Sequence, residues 1–432
     1  MKKLTALLLA LVMVLAMNAS ALAATGDYKA SEGTKTTVSA NNITLTKTIV
    51  YFNPDGTSVR EPSLTYQYSI TPATVGSSTT VTDKDGHSAT VKAGITTDGA
   101  ISSMVSIAVT PGEAVTASAT GTPKEYNTVI SVNPTKFPSA GIYRYTITED
   151  TTDADIEAAG VTRASSTNNE IRYLDVYIKN EGTGLALMGA VIFKTNNSID
   201  GETTTTPAVT TDKTTGFDVK DSSDTDYKDD NTVDKYFTYN LKVSKTISGT
   251  LADKTHPFPF VIALTDAVAN VTVDIALTNT STHATYTGGN TAALSSGALN
   301  VSADLADGDY ITISGLPTGT KVTVKETNNT SDTYTLTGTT VAGTSTVGTV
   351  ITNINQTLVA NDNYTSGEVK VDGNGTTSEQ YKKTEIGYTN TLAEVSQTGV
   401  VLRFAPYALM LGAGVALFII LKVRKNKAVE ED

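Results

Sequence analysis

The chain has 432 residues, a formal net charge of −12, no cysteine and no tryptophan. An acidic chain repels phosphate backbones, which argues against nucleic-acid binding. Disulfides are excluded as a source of stability. The three histidines, His87, His256 and His283, are scattered without ligand spacing, so no metal or cofactor is expected.

The first residues read Lys2-Lys3, then an apolar run from Leu4 to Met17, then Ala21-Leu22-Ala23. Charge, apolar stretch and small residues in that order predict a secretory signal peptide over residues 1–23, cut after Ala23. An exported chain is free to form disulfides. This one has to hold itself together by other means.

The following residues are rich in Thr, Val, Ser, Gly and Tyr, with few helical patterns. Short alternating runs recur, among them Leu64 to Ile70, Tyr143 to Ile147 and Lys321 to Lys325. Asp85-Gly86 reads as a hairpin turn, and Leu316-Pro317-Thr318-Gly319 punctuates the approach to a strand. Thr151 to Gly160 reads as a short helix or loop. Many short strands at this spacing predict an all-β chain of two tandem Ig-like β-sandwich domains, over 24–240 and 241–394. Between them, residues 198–235 turn polar and lose alternation. The acidic run from Asp218 to Asp234 lacks the Asp-x-Asp-x-Asp-Gly spacing of a calcium loop and reads as solvated.

One strand occurs twice. Ile43-Thr44-Leu45-Thr46-Lys47-Thr48-Ile49 matches Leu241-Lys242-Val243-Ser244-Lys245-Thr246-Ile247. Side chains alternate faces along a strand, so Lys47 and Lys245 share the face of the aliphatic residues. A lysine there is costly unless paired or neutralised. Later in each domain a glutamate falls on an apolar face: Glu149 beyond Tyr145 and Ile147, and Glu326 beyond Val322 and Val324. Asn390 shares a face with Ile386, Tyr388 and Leu392. Each domain therefore repeats a buried lysine and a buried glutamate, and the second adds an inward carboxamide.

The end of the chain, residues 395–432, begins with Val395-Ser396-Gln397-Thr398-Gly399. An apolar stretch, 404–421, follows, and then Lys422, Arg424, Lys425 and Lys427. The stretch is long enough for a transmembrane helix, with the basic tail kept in the cytoplasm. The segment resembles the cell-wall sorting signals read by sortases of Gram-positive bacteria, and its tail resembles those assigned to class B sortases. That resemblance implies cutting between Thr398 and Gly399, with the Thr398 carbonyl passed to an amine. Ser396 and Val395 depart from the usual proline and leucine.

Taken together, these residues resemble the backbone pilins of Gram-positive bacteria, built from streptococcal pilin isopeptide-linker domains. The matching pieces are Leu45-Thr46-Lys47-Thr48, Phe137-Pro138 to Glu149, Leu241 to Lys245, Leu316-Pro317 to Glu326, and Tyr388-Thr389-Asn390. The resemblance implies an autocatalytic amide bond inside each domain, assisted by the glutamate. For the second domain the pair is Lys245–Asn390. For the first, the family's acceptor position falls on Asp234, with Asn231 as rival and Asp218 as a third choice. It further implies an intersubunit lysine shortly before Asp234, where Lys228 lies nearest and Lys220 and Lys213 are alternatives.

Burial supplies the expected chemistry. Desolvation lowers a lysine's pKa and raises a carboxyl's, giving a neutral nucleophile and a neutral proton carrier. The bland alternative is an ordinary buried Lys–Glu ion pair in each domain. Three functions compete: a pilus shaft subunit or wall-anchored stalk, an adhesin binding a host or partner ligand, and a surface enzyme. No nucleophile motif or phosphate loop supports the last. The expected partners are a pilin-type or class B sortase, further copies of this chain or other pilins, peptidoglycan, and the membrane transiently through 404–421. The expected location is the cell surface, in the wall or a pilus.

Overall fold

The computed structural model describes residues 36–76, 80–82, 87–165, 170–196, 198, 212–219, 227, 230–265, 268, 271–280, 282–342, 356–366, 369–371, 384–393 and 397–429. The signal peptide, the Asp85-Gly86 turn, Lys220 and Lys228 lie outside them. The strands on either side of that turn do pair, Thr82 opposite Ser88.

The principal elements of the first half are β1 (Asn42–Phe52), β2 (Leu64–Pro72), β3 (Thr122–Ser131), β4 (Gly141–Glu149), α1 (Asp153–Ala158), β5 (Ile171–Glu181), β6 (Gly184–Phe193) and β7 (Gly216–Phe217). A long strand, β8 (Asp234–Ser248), passes into the second half. There follow β9 (Phe258–Thr265), β10 (Thr272–Thr278), β11 (Tyr310–Pro317), β12 (Thr320–Thr327), β13 (Tyr334–Ala342), β14 (Thr384–Leu392) and α2 (Gln397–Val429). The chain is thus all-β over its body, as the short alternating runs predict. α1 forms where Thr152 caps its first turn, the hydroxyl accepting from Asp155 N.

Each half packs two sheets over its own core. In the first, β1 pairs with β3, β7 and β8, while β6, β5, β4 and β2 form the facing sheet. Ile43, Leu45, Ile49 and Tyr51 point from β1 into a core completed by Tyr66, Tyr68, Tyr145, Ile147 and Tyr236. In the second, β10, β11, β8, β14 and β13 form one sheet, and β9 and β12 lie in the other. Its core runs from Tyr239 to Tyr388 and includes Val243, Phe260, Val324 and Ile386. Gly319, at φ 90°, makes the turn from β11 to β12 that Leu316-Pro317 announces.

The domains repeat one plan. In each, the first strand lies parallel beside the last: β1 beside the start of β8, and the rest of β8 beside β14. Because β8 serves both, it joins the halves without a linker. A buried amide cluster seals the junction, with Asn53 Nδ2 donating to Asn240 Oδ1 at 3.0 Å and to Thr238 Oγ1 at 3.2 Å. Arg60 grips Asp274 across it, at 2.7 Å from Nη2.

Two expectations need correction. The run 218–234 is not simply a solvated loop, because Asp218 and Asp234 at its ends are both buried. Asn231 is exposed and so does not face the first core. Its neighbour Val233 packs with Val50, Phe52 and Tyr227 in a small separate cluster, which leaves Asp234 facing Lys47.

In α2, Tyr407, Leu409, Leu411, Phe418 and Ile420 are exposed. Among the described residues no helix is long and apolar enough to cross a membrane, and the side chains of 404–406 fall outside them.

Candidate covalent cross-link sites

The two lysines sit at equivalent points of equivalent strands. In the first domain Asp234 is the Cα partner of Ile49, two residues beyond Lys47. In the second, Asn390 is the Cα partner of Ile247, two residues beyond Lys245. In parallel neighbours this offset puts both side chains on one face, within reach of each other. The glutamates come from the facing sheets, Glu149 opposite Tyr68 and Glu326 opposite Phe260. An aromatic ring covers each amine: Tyr66 lies 4.4 Å from Lys47 Nζ, and Phe258 lies 4.5 Å from Lys245 Nζ.

The second site is sparse. Lys245, Glu326 and Asn390 are at most 1% exposed. Lys245 Nζ lies 2.9 Å from Glu326 Oε1, an ion-pair distance that misses hydrogen-bond geometry. The same Oε1 accepts from Asn390 Nδ2 at 2.6 Å. Among the described residues, Lys245 Nζ, Glu326 Oε2 and Asn390 Oδ1 find no partner in hydrogen-bond geometry. A half-turn of the carboxamide exchanges its oxygen and nitrogen and would bring the carbonyl to Glu326. Burial pulls the Lys245 amine down to about 8, against the opposing pull of Glu326. That is the lowered amine the sequence predicts.

The first site is crowded. Lys47 Nζ lies 3.0 Å from Glu149 Oε2 and 3.0 Å from Asp234 Oδ2, and it also contacts Asp218 Oδ2. Tyr66 donates to Asp234 Oδ2 at 2.7 Å, and the Ala164 N–H donates to Oδ1 at 2.8 Å. Arg163 holds Glu149 Oε1 at 3.0 Å, and Tyr68 donates to Oε2 at 3.3 Å.

Here the expected lowering of the lysine fails. Burial pulls Lys47 down, but Asp218, Asp234 and Glu149 outweigh it and raise its pKa. For Asp234, the upward push of burial is overcome by Lys47, Ala164 N–H and Tyr66, and the pKa is lowered. Asp218 moves the other way. Burial raises it to about 8, Asp234 and Glu149 add to the rise, and Lys47 opposes.

The structure therefore brings together Lys47, Glu149 and Asp234, and Lys245, Glu326 and Asn390. It also brings in Asp218, which sequence reasoning ranked behind Asn231. Arg163, Tyr66 and Ala164 were not foreseen at all. Lys213 is buried in a short strand against β6, so it is no accessible intersubunit amine. Thr398 and Gly399 fall in the first turn of α2. No metal-holding group of carboxylates and histidines occurs among the described residues.

A family model described as a domain of unknown function (DUF7601) matches residues 239–363. No curated protein matches the chain. Solved structures similar to it include the major pilin of Streptococcus pyogenes, at 16% identity over 82% of this chain and 99% of that one, TM-score 0.41. A second S. pyogenes major pilin, from another serotype, is 18% identical over 82% and 99%, TM-score 0.40. A pilus-presented adhesin is 11% identical over 81% and 100%, TM-score 0.25.

Proposed function

We propose that this chain is a structural subunit of a cell-surface pilus of a Gram-positive bacterium. Its two domains are each locked by an amide bond formed without an enzyme. The observation that carries this reading is the repeated offset: a buried lysine on each first strand, beside an acceptor two residues on in the parallel last strand. Lys47 joins Asp234 with loss of water, and Lys245 joins Asn390 with loss of ammonia. Glu149 and Glu326 assist by holding the amine, and Glu326 also relays protons.

The bonds serve mechanics. Each clasps the first strand of a domain to its last. Tension entering β1 crosses to β8 at the first bond, and from β8 to β14 at the second. The core strands between are bypassed. By analogy with a disulfide closing more than 100 residues, each bond contributes roughly 4–5 kcal/mol by restricting the unfolded chain. A subunit pulled end to end in a shaft needs this. A single-site enzyme does not.

Export through residues 1–23, transient membrane residence through 404–421, and sortase transfer at Thr398–Gly399 complete the proposal. The uncovered apolar side chains of α2 support a membrane location for that helix. Lys228 is the proposed amine that receives the Thr398 acyl group of the next subunit. The test is a blot of cell-wall extracts from the source organism, with and without Lys228→Ala. A ladder of covalent multimers that collapses in the variant is expected. A single wall-attached band in both would reject the shaft and leave a wall-anchored adhesin.

A further inference from the structure

Among the described residues, the first cluster holds a carboxyl in contact with its lysine, Asp218, that has no counterpart in the second. We propose that Asp218 is a catalytic residue for the first bond, giving a proton to the oxygen that leaves Asp234 and recovering one from Lys47. The inference rests on the bond-forming reading above and concerns how that bond is made.

The chain places Asp218 with unusual care. β7 lies parallel against β1, with Phe217 opposite Lys47. Gly216 packs so tightly that a Cβ there would stand 1.9 Å from the Thr46 carbonyl oxygen, so no larger residue fits. Arg172 Nε fixes the strand by donating to Gly216 O at 2.9 Å. Asp218 itself has φ 58°, a left-handed conformation that non-glycine residues seldom adopt. Strained backbone held by its surroundings is a mark of functional sites. The outcome is a 3%-exposed carboxyl in contact with the reacting nitrogen.

Chemistry supplies the need. The second site's acceptor is a neutral carboxamide. The first site's acceptor is an aspartate, and an ionised carboxylate is a poor electrophile. Condensing an ammonium with a carboxylate moves two protons from nitrogen to the departing oxygen. In the first step Lys47 gives one proton to Asp234 Oδ2, and its freed lone pair attacks Asp234 Cγ. In the second, protonated Asp218 donates to that hydroxyl, the Cγ–Oδ2 bond breaks and water leaves. The nitrogen, still carrying an extra proton, returns it to Asp218. One N–C bond forms, one C–O bond breaks, and Asp218 ends as it began.

Glu149 is poorly free for this task. Arg163 binds its Oε1, while Lys47 and Tyr68 bind its Oε2. Glu326 Oε2 accepts no hydrogen bond among the described residues. The charged and titratable groups facing Asp218 are Lys47 on β1, Tyr68 on β2, Glu149 on β4, Arg172 on β5 and Asp234 on β8. Burial among them keeps Asp218 protonated up to about pH 8.

The test uses the full chain, purified unfolded in urea and diluted into buffer. Each bond is timed by intact mass and located by tryptic mapping. Lys47 joined to Asp234 appears on peptide 229–235, and Lys47 joined to Asp218 on peptide 214–220. Asp218→Asn should slow the first bond by at least about tenfold and leave the second unchanged. Asp218→Glu should recover part of the rate. In the wild type, first-bond formation should fall as pH rises through about 8, where Asp218 loses its proton. That profile is read without any variant, so a misfolded Asp218→Asn does not decide the matter. A wild-type rate in Asp218→Asn, a first-bond rate that does not fall above pH 8, or a cross-link on peptide 214–220 each overturns the inference. A wild-type chain with no first bond defeats the bond-forming reading itself.

Discussion

The two lysine sites share a register and differ in charge. Lys245 touches one carboxyl among the described residues, Glu326, with Asp307 farther off, and burial dominates, so the amine is weakened to about 8. Around Lys47 stand three carboxyls, and their attraction overrides burial and strengthens the ammonium. One strand pattern can therefore deliver a lysine to the same place in two domains with opposite electrostatics. On the proposed chemistry, the acceptor accounts for the difference. An asparagine needs a neutral amine beside it. An aspartate needs protons, and the first site holds them.

The contrast breaks most sharply when the lysines are removed. Lys47→Ala strands Glu149, Asp218 and Asp234 together in the first core, besides losing the bond. Removing one partner of a buried ion pair costs about 3–5 kcal/mol. The first domain should therefore fail to fold or melt far below the second. Lys245→Ala strands Glu326 alone and should cost its domain less. Thermal unfolding of both variants checks the order. Equal losses would show that the charge asymmetry has no energetic weight.

Next come the glutamates. Glu326→Ala removes the one carboxyl touching Lys245 among the described residues and should abolish the second bond. Glu149→Ala leaves Asp218 and Asp234 on Lys47 and should slow the first bond without abolishing it. Intact mass after refolding reads both. Full mass loss in both variants would remove the glutamates from the chemistry.

The pH dependence sharpens the comparison. The Lys245 amine must lose its proton to attack. Below about 8 the second bond should form about tenfold faster per pH unit, levelling off above. The first bond should show no such rise, since Lys47 is held above its ordinary value and relies on proton transfer within the cluster. Refolding at graded pH, with each bond timed separately, gives the two profiles. Parallel profiles would contradict the assignment. The smallest effect is expected for Arg163→Met, which releases Glu149 Oε1 and should change the first-bond rate by a factor of a few, and the second not at all.

Much of this was legible in the chain. Lys47 and Lys245 announce themselves because a charged residue on an aliphatic strand face violates the alternation around it. Glu149, Glu326 and Asn390 continue apolar faces by the same count of two. The acceptor in the first domain was harder. Asp234 and Asn231 differ in parity, and parity tells which residues share a face but not which face meets the core. Asn231 shares its parity with the apolar Val233 and Phe237, but those two serve a cluster on the outer side of β8. Asp218 was hidden for another reason. β7 is two residues long and carries no period, and its neighbours are polar. A glycine beside a phenylalanine in an otherwise polar stretch was the sole local sign. Arg163, Tyr66 and Ala164 meet Asp234 and Glu149 from distant parts of the chain, which periodicity does not see.

The central claim is that both lysines are covalently spent in the folded chain. Intact mass of the folded full chain, set against the same chain purified unfolded, tests it directly. The account predicts a deficit of about 18 Da from the first domain and about 17 Da from the second, one water and one ammonia. Tryptic mapping should place them at Lys47–Asp234 and Lys245–Asn390. An unchanged mass in correctly folded protein would contradict the account and reduce both sites to buried ion pairs.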